Sequence, residues 1–237
     1  MTDGIRHQFE EMEKRLSGGT EVSGTAVDSE LTDLKHQLIV EGASKVLFEK
    51  GFHGASMREI AAACGMSFGQ LYHYISSKDD ILYLIHKHSQ DLWYQRLKDA
   101  EFETIKDPVA RLAHALRLST EFVYENRKMY LFLYTESKYL EREHLKRVLE
   151  MDDKNVVGFY RHLLSEIPQI RLAGNEAEVA ANLIPFISVF LALRGWNLDL
   201  TRFPEHVEFL VEFVFRGLGL DLPAGAGKLP EKEPSRP

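Results

Sequence analysis

SMREIAAACGMSFGQLYHYISSK, Ser56–Lys78, reads as two short helices joined by a glycine turn, followed by the start of a third. Ser56 with Glu59 three residues later forms a capping box, and Ile60, Ala61 and Ala63 give the helix it opens a small apolar face. Gly65 stands where a left-handed residue ends a helix, because glycine has no Cβ to clash there. Ser67 caps the next helix, which runs through Phe68, Gly69, Gln70, Leu71, Tyr72 and His73. Ser77 with Asp80 is a second capping signal. The helix it opens continues through Ile81, Leu84, Ile85, His88 and Leu92 to about Phe102. Upstream, Leu31, Leu34, Leu38, Ile39, Ala43 and Leu47 recur at helical spacing, and Gly51-Phe52 closes that helix. A long helix followed by two short ones across a tight turn is a helix-turn-helix, which seats its second short helix in the DNA major groove.

Working outward, everything between the two ends reads as helix, so the fold class is all-α. Asp107-Pro108 starts a helix through Leu112, Ala115, Leu118 and Phe122, with an N-cap followed by proline at the first position. Further helices span Lys128 to Thr135 and about Glu141 to Glu166, the latter with Leu145, Val148, Leu149, Val156, Tyr160 and Leu163 on its apolar side. The last two run near Asn175–Arg194 and Pro204–Arg216. Residues 1–30 have a Ser/Gly/Thr-rich linker composition and read as a flexible arm, whose Arg6, Lys14 and Arg15 can brush DNA or stay solvated. Residues 221–237, rich in Pro, Gly, Lys and Glu, read as a disordered tail.

Ile39 to Leu82 resembles the DNA-binding domain of the tetracycline-repressor-like (TetR) transcriptional regulators. Ala43, Leu47-Phe48, Gly51-Phe52, Ser56, Ile60-Ala61, Gly65-Met66-Ser67, Gly69, Leu71-Tyr72, Tyr74, Lys78 and Leu82 carry the likeness, over about a fifth of the chain. Ile75 departs from the aromatic usual at its position, and Cys64 from the common alanine. The resemblance implies a three-helix DNA-binding domain at 31–80 and a helical effector-binding and dimerisation domain at 81–220.

It also implies roles. Arg58 matches a position that often reads a base, where a forked pair of hydrogen bonds to guanine is worth ~1–3 kcal/mol; the bland alternative is a solvated charge. Ser67, Phe68, Gly69, Gln70 and His73 line the groove face, with Gln70 suited to adenine and Phe68 to a thymine methyl. Tyr72, Tyr74 and Lys78 match phosphate-holding positions, and Ser56 adds a phosphate bond or serves only as a cap. Tyr72 has an equal alternative, a ring packed on the first helix.

The two C-terminal helices are apolar over most of their circumference, more than a surface helix needs. A two-fold four-helix interface between identical chains accounts for this, with Leu183, Ile187, Leu191, Leu210, Phe213 and Val214 as candidate contacts; an internal hairpin is the alternative. The family places its effector pocket in the helical bundle. Trp93, Phe122, Tyr130, Tyr134, Phe159, Phe186 and Phe190 are candidate walls for a small hydrophobic effector, or ordinary core. The wording of the DNA domain looks like members that regulate fatty-acid or acyl-coenzyme A metabolism. An acyl-CoA needs cations at the pocket mouth, for which Arg117, Arg127, Lys128, Arg161 and Arg194 are candidates.

The expected function is therefore a ligand-responsive transcriptional regulator, a repressor that binds a palindromic double-stranded DNA operator as a homodimer. The alternative is a DNA-binding interaction or scaffold protein of the same fold with no effector; an internal cavity above about 300 Å³ separates the two. The net charge of −7 excludes a non-specific polycationic binder. One cysteine fits a reducing cytoplasm. The N-terminus shows no signal peptide, and Ala177–Leu193, interrupted by Glu178, Asn182 and Pro185, is too short and polar for a membrane span. No enzyme activity, cofactor or metal is expected. There is no phosphate loop, nucleophile elbow or zinc ligand set. His86 and His88 point to different helix faces; His114, His144 and His162 could converge from separate turns of the bundle, but read as isolated surface histidines.

Overall fold

A computed structural model describes residues 29–223, so both the arm and most of the tail expected from the sequence lie outside the described residues. All regular elements among those residues are helical. They are α1 (Ser29–Gly54), α2 (Met57–Ala63), α3 (Phe68–Tyr74), α4 (Lys78–Asp99), α5 (Pro108–Glu125), α6 (Arg127–Glu136), α7 (Arg142–Asp152), α8 (Gly158–Ser165), α9 (Asn175–Arg194) and α10 (Phe203–Gly217). Short 3-10 turns and one π turn join them.

The described chain forms two compact units. The first comprises residues 29–95 and 128–153, so α6 and α7 pack with the helix-turn-helix although they are remote in sequence. Ile39, Ala43, Leu47, Ile60, Leu71, Ile75, Ile81 and Ile85 are fully buried, and Phe132, Leu133, Val148 and Met151 close the same core. Leu34 and Leu38 leave this face: they are exposed, and the buried row of α1 is His36, Ile39, Val40, Ala43 and Leu47. His36 earns its burial through Nε2, 3.0 Å from the Tyr74 carbonyl.

The second unit comprises residues 96–127 and 154–223. Here α5 packs against α8, α9 and α10. Asp107 caps α5 through Val109 and Ala110, as its place before Pro108 predicts. Inside lies a polar chain in which the fully buried Tyr160 donates to Ser119 Oγ at 2.8 Å, and Ser119 in turn meets Ser188 at 2.8 Å. Burial pushes the Tyr160 phenol up to about 12, so it stays a donor. Arg111 is held by the Ile105 carbonyl and Glu166, and Arg117 forks onto Glu208 with two 2.7 Å bonds.

Two helices differ from their expected extents. α4 stops at Asp99, because Glu101 takes a left-handed conformation (φ 49°) and a 3-10 turn follows at Phe102–Thr104. The expected continuous helix 141–166 is broken by a π turn at Asp153–Val157. The extra residue shifts the helical phase. Within the π turn Val157 is buried and Val156 only half-buried, while in the helix before it Val148 and Met151 are buried and Leu149 is exposed.

Candidate nucleic-acid interface

Each helix end in the motif is built from local chemistry. Ser56 Oγ accepts from the Glu59 amide, and the Glu59 carboxylate accepts from the Ser56 amide at 2.9 Å. Lys50 meets Glu59 at 2.6 Å. These bonds, that from Lys50 foremost, hold the Glu59 carboxyl down at about 2. At the other end of α2, Gly65 is left-handed (φ 66°), and the Met66 amide reaches the Ala61 carbonyl at 2.9 Å. This is the Schellman closure that glycine permits.

α1 crosses this turn at very short range. A Cβ on Gly42 would lie 2.8 Å from the backbone N and Cα of Cys64. Gly42 is therefore a structural requirement of the motif that the sequence reading missed. Its only signal was a glycine inside a strongly helical pattern, where it costs about 1 kcal/mol relative to alanine.

α3 is anchored by one side chain. Leu71 is fully buried, while Ser67, Phe68, Gly69, Gln70, Tyr72 and His73 are exposed. Phe68 and Tyr72 pack ring to ring at 4.8 Å, so Tyr72 leans on its helix neighbour and remains 42% exposed. Gly69 has nothing within 4 Å of the position a Cβ would take. Arg58 lies exposed on the first turn of α2. Ser56 is exposed, and Tyr74 half-buried.

Two expected contacts are altered by their own surroundings. Gln70 Oε1 accepts from the Ser67 amide at 2.8 Å, while Ser67 Oγ accepts from the Gln70 amide at 3.2 Å. A two-bond pairing of Gln70 with adenine would require it to leave this capping box. Lys78 is half-buried, with Nζ donating to the Phe52 and Ala55 carbonyls at 2.6 and 2.7 Å and lying over the Phe52 ring. Burial lowers its pKa. The ammonium ties the end of α1 to the start of α4.

The candidate effector walls divide between the two units. Trp93 is buried in the first unit, whereas Phe122 and Phe159 are buried in the second. Tyr130 is half-buried, and Tyr134, Phe186 and Phe190 are exposed. Of the candidate cations, Arg117 and Arg161 are committed to Glu208 and Glu178, while Arg127 and Arg194 lie over Tyr124 and Trp196; Lys128 is exposed. An open groove of about 430 Å³ follows the outer face of α9, lined by Glu178, Val179, Asn182, Leu183 and Phe186.

The candidate dimer residues divide. Leu183 and Phe213 are exposed, Ile187 and Leu210 half-buried, but Leu191 and Val214 are buried in their own chain. Helical phase explains the correction: Leu191 lies seven residues after Ile184, and Val214 seven after Val207, both on the core face. The exposed face of α9 is instead Val179, Leu183, Phe186 and Phe190, and that of α10 is Phe209 and Phe213. By length and a mean hydropathy of 1.6, Asn175–Asn197 equals a membrane span, contrary to the reading of that stretch as too short and polar. Its inner face nonetheless packs on α5 and α8.

A short helix held at one buried leucine, with its remaining surface offered outward beyond a glycine turn, defines a helix-turn-helix DNA-binding protein. Residues 39–83 match the model of the bacterial regulatory proteins of the tetR family. The chain is 29% identical over 203 residues to the HTH-type transcriptional regulator HbdR of Aromatoleum sp. (strain CIB), covering 86% of each. It is 30% identical over 78 residues to the fatty acid metabolism regulator protein of Bacillus subtilis (strain 168), 32% of this chain and 40% of that one. Its fold is similar to AibR solved with isovaleryl coenzyme A and operator DNA (TM-score 0.61, 24% identity, 80% of this chain and 100% of that one). Residues 39–83 thus form a DNA-binding domain of the tetR type, and the chain is a DNA-binding transcriptional regulator rather than an enzyme.

Proposed function

We propose that this regulator is a ligand-responsive repressor that binds a palindromic operator as a homodimer and is released by a small hydrophobic effector, an acyl-CoA or fatty-acid-like molecule. The observation that carries the reading is the exposed ridge Phe68–His73, with Leu71 alone turned inward. Gly69 supports it. A glycine in the first turn of a helix, with no intramolecular reason for lacking a Cβ, fits the close approach of another backbone. Arg58 reads a base edge, and Tyr72 and Tyr74 hold phosphates.

Dimerisation rests on the apolar row Val179, Leu183, Phe186 and Phe190, at spacings of four, three and four, beside the stacked Phe209 and Phe213 rings at 6.4 Å. Covering this face in a dimer removes the apolar surface that gives α9 its membrane-like composition, and the protein works in the cytoplasm without a membrane partner. The effector class rests on similarity to AibR and the Bacillus regulator. The effector acts by preferring an arrangement of the dimer that fits the operator badly. The domain scheme proposed is a DNA-binding part at 31–80 followed by an effector and dimerisation part at 81–220.

Selection of bound duplexes from a random pool tests the reading, repeated with isovaleryl-CoA and longer acyl-CoAs. A two-fold symmetric site is expected, with release by one acyl-CoA class. Recovery of no preferred sequence overturns operator recognition. Retention of DNA with every acyl chain overturns the effector assignment alone.

A further inference from the structure

We propose that Asp79, Glu141 and His144 form a binding site for a divalent first-row transition-metal ion where the first turn of α4 meets the start of α7. Each residue offers one ligand atom, and these atoms lie within 4.8 Å of one another. All three belong to the first compact unit.

Two features distinguish this cluster from a group of surface acids. First, His144 Nδ1 and Asp79 Oδ1 are both shut off from solvent and have no hydrogen-bond partner among the described residues. Buried polar atoms are normally satisfied, and an unsatisfied one costs about 1–3 kcal/mol. A cation accounts for both atoms at once, since each presents a lone pair.

Second, the histidine is already oriented for ligation. His144 Nε2 lies 2.8 Å from Asp80 Oδ1, and the other Asp80 oxygen accepts from the Ser76 and Ser77 amides at 2.7 and 3.0 Å. With Nε2 donating to a carboxylate, the lone pair falls on Nδ1. This carboxylate–histidine arrangement is the usual outer support of a metal-bound imidazole.

The electrostatics agree. Asp79, Asp80 and Glu141 bring three carboxyl groups to this junction, where like charges repel. A divalent ion relieves that repulsion. One imidazole and two carboxylates select a borderline metal over Mg²⁺ or Ca²⁺, which prefer six or more oxygens. Ligand atoms around a four-coordinate zinc sit about 3.4 Å apart, given bonds of 2.0–2.2 Å. The exposed Glu141 side chain is free to close that gap, and water completes the shell.

The experiment is calorimetric titration of chelator-stripped, full-length protein with ZnCl₂, and separately with MgCl₂ and CaCl₂. One Zn²⁺ per chain is expected, with no saturable Mg²⁺ or Ca²⁺ binding. Asp79→Asn and Glu141→Gln should each weaken Zn²⁺ at least about tenfold. Cys64→Ser should bind like the parent, which separates this site from the thiol. Glu141 is exposed, so its variant keeps the fold, and circular dichroism verifies both. Absence of a one-to-one phase, equal Mg²⁺ binding, or unchanged affinity in both carboxylate variants overturns the site. DNA binding is not part of the readout, so the result stands apart from the regulator assignment.

Discussion

Gly42, inside a long helix, and Gly69, in the first turn of a short one, answer to opposite constraints. At Gly42 any Cβ meets the Cys64 backbone. Gly42→Ala should therefore lower the melting temperature sharply, since overpacking against backbone costs about 1–3 kcal/mol. At Gly69 the added methyl meets nothing. Gly69→Ala should stabilise the free protein by about 0.5–1 kcal/mol in thermal unfolding while weakening operator binding in an anisotropy titration. Lys78 is the third informative residue. Two backbone carbonyls hold its ammonium, so Lys78→Met should destabilise the fold by on the order of 2 kcal/mol. Denaturant unfolding with and without DNA separates that loss from a lost phosphate contact.

At the scale of elements, the junction of α4 with α6 contains a pH-sensitive pair. His86 Nε2 donates to Ser137 Oγ at 2.8 Å, while that hydroxyl donates to the Leu133 carbonyl. Burial lowers the His86 pKa from 6.5 to about 4. As pH falls below 6.5 the unfolded chain takes up this proton while the folded one does not. The His86 contribution is therefore intact above about pH 6.5 and is lost progressively down to about pH 4, on the order of 3 kcal/mol in all. Comparing melts of the parent and His86→Gln across this range isolates it, and parallel curves would rule it out. The α9 and α10 faces give a second element-scale prediction. Leu183→Glu, on the exposed row, should yield a folded monomer in sedimentation velocity. Leu191→Ala, on the core face, should instead cost about 2–5 kcal/mol of stability.

For the whole molecule, charge sets the character of DNA binding. With a net charge of −7 and Lys78 turned inward, few cations remain for phosphates. The slope of log affinity against log salt should be well shallower than about −10, and Arg58→Ala should relax preference at one base position. An equal loss on every sequence would instead make Arg58 a phosphate contact. Fluorescence titrations at several salt concentrations measure both.

The sequence by itself determined the helical class and the helix-turn-helix. Those features are written in short-range chemistry: Ser56 with Glu59, Gly65, Ser67, and the apolar spacing of Ile81 and Ile85 act within one or two turns of chain. Tertiary structure alone decided which apolar residues stay outside. Leu191 and Leu183 are alike in composition, and only the packing of α9 on α5 and α8 buries one and leaves the other bare. It also decided that Val148 and Met151 face inward while Leu149 faces outward, and that a π turn resets the helical phase after Asp152. The meeting of Asp79 with Glu141 and His144 belongs to the same level. Side chains more than sixty residues apart acquire a common chemistry only when two helix starts are folded against each other.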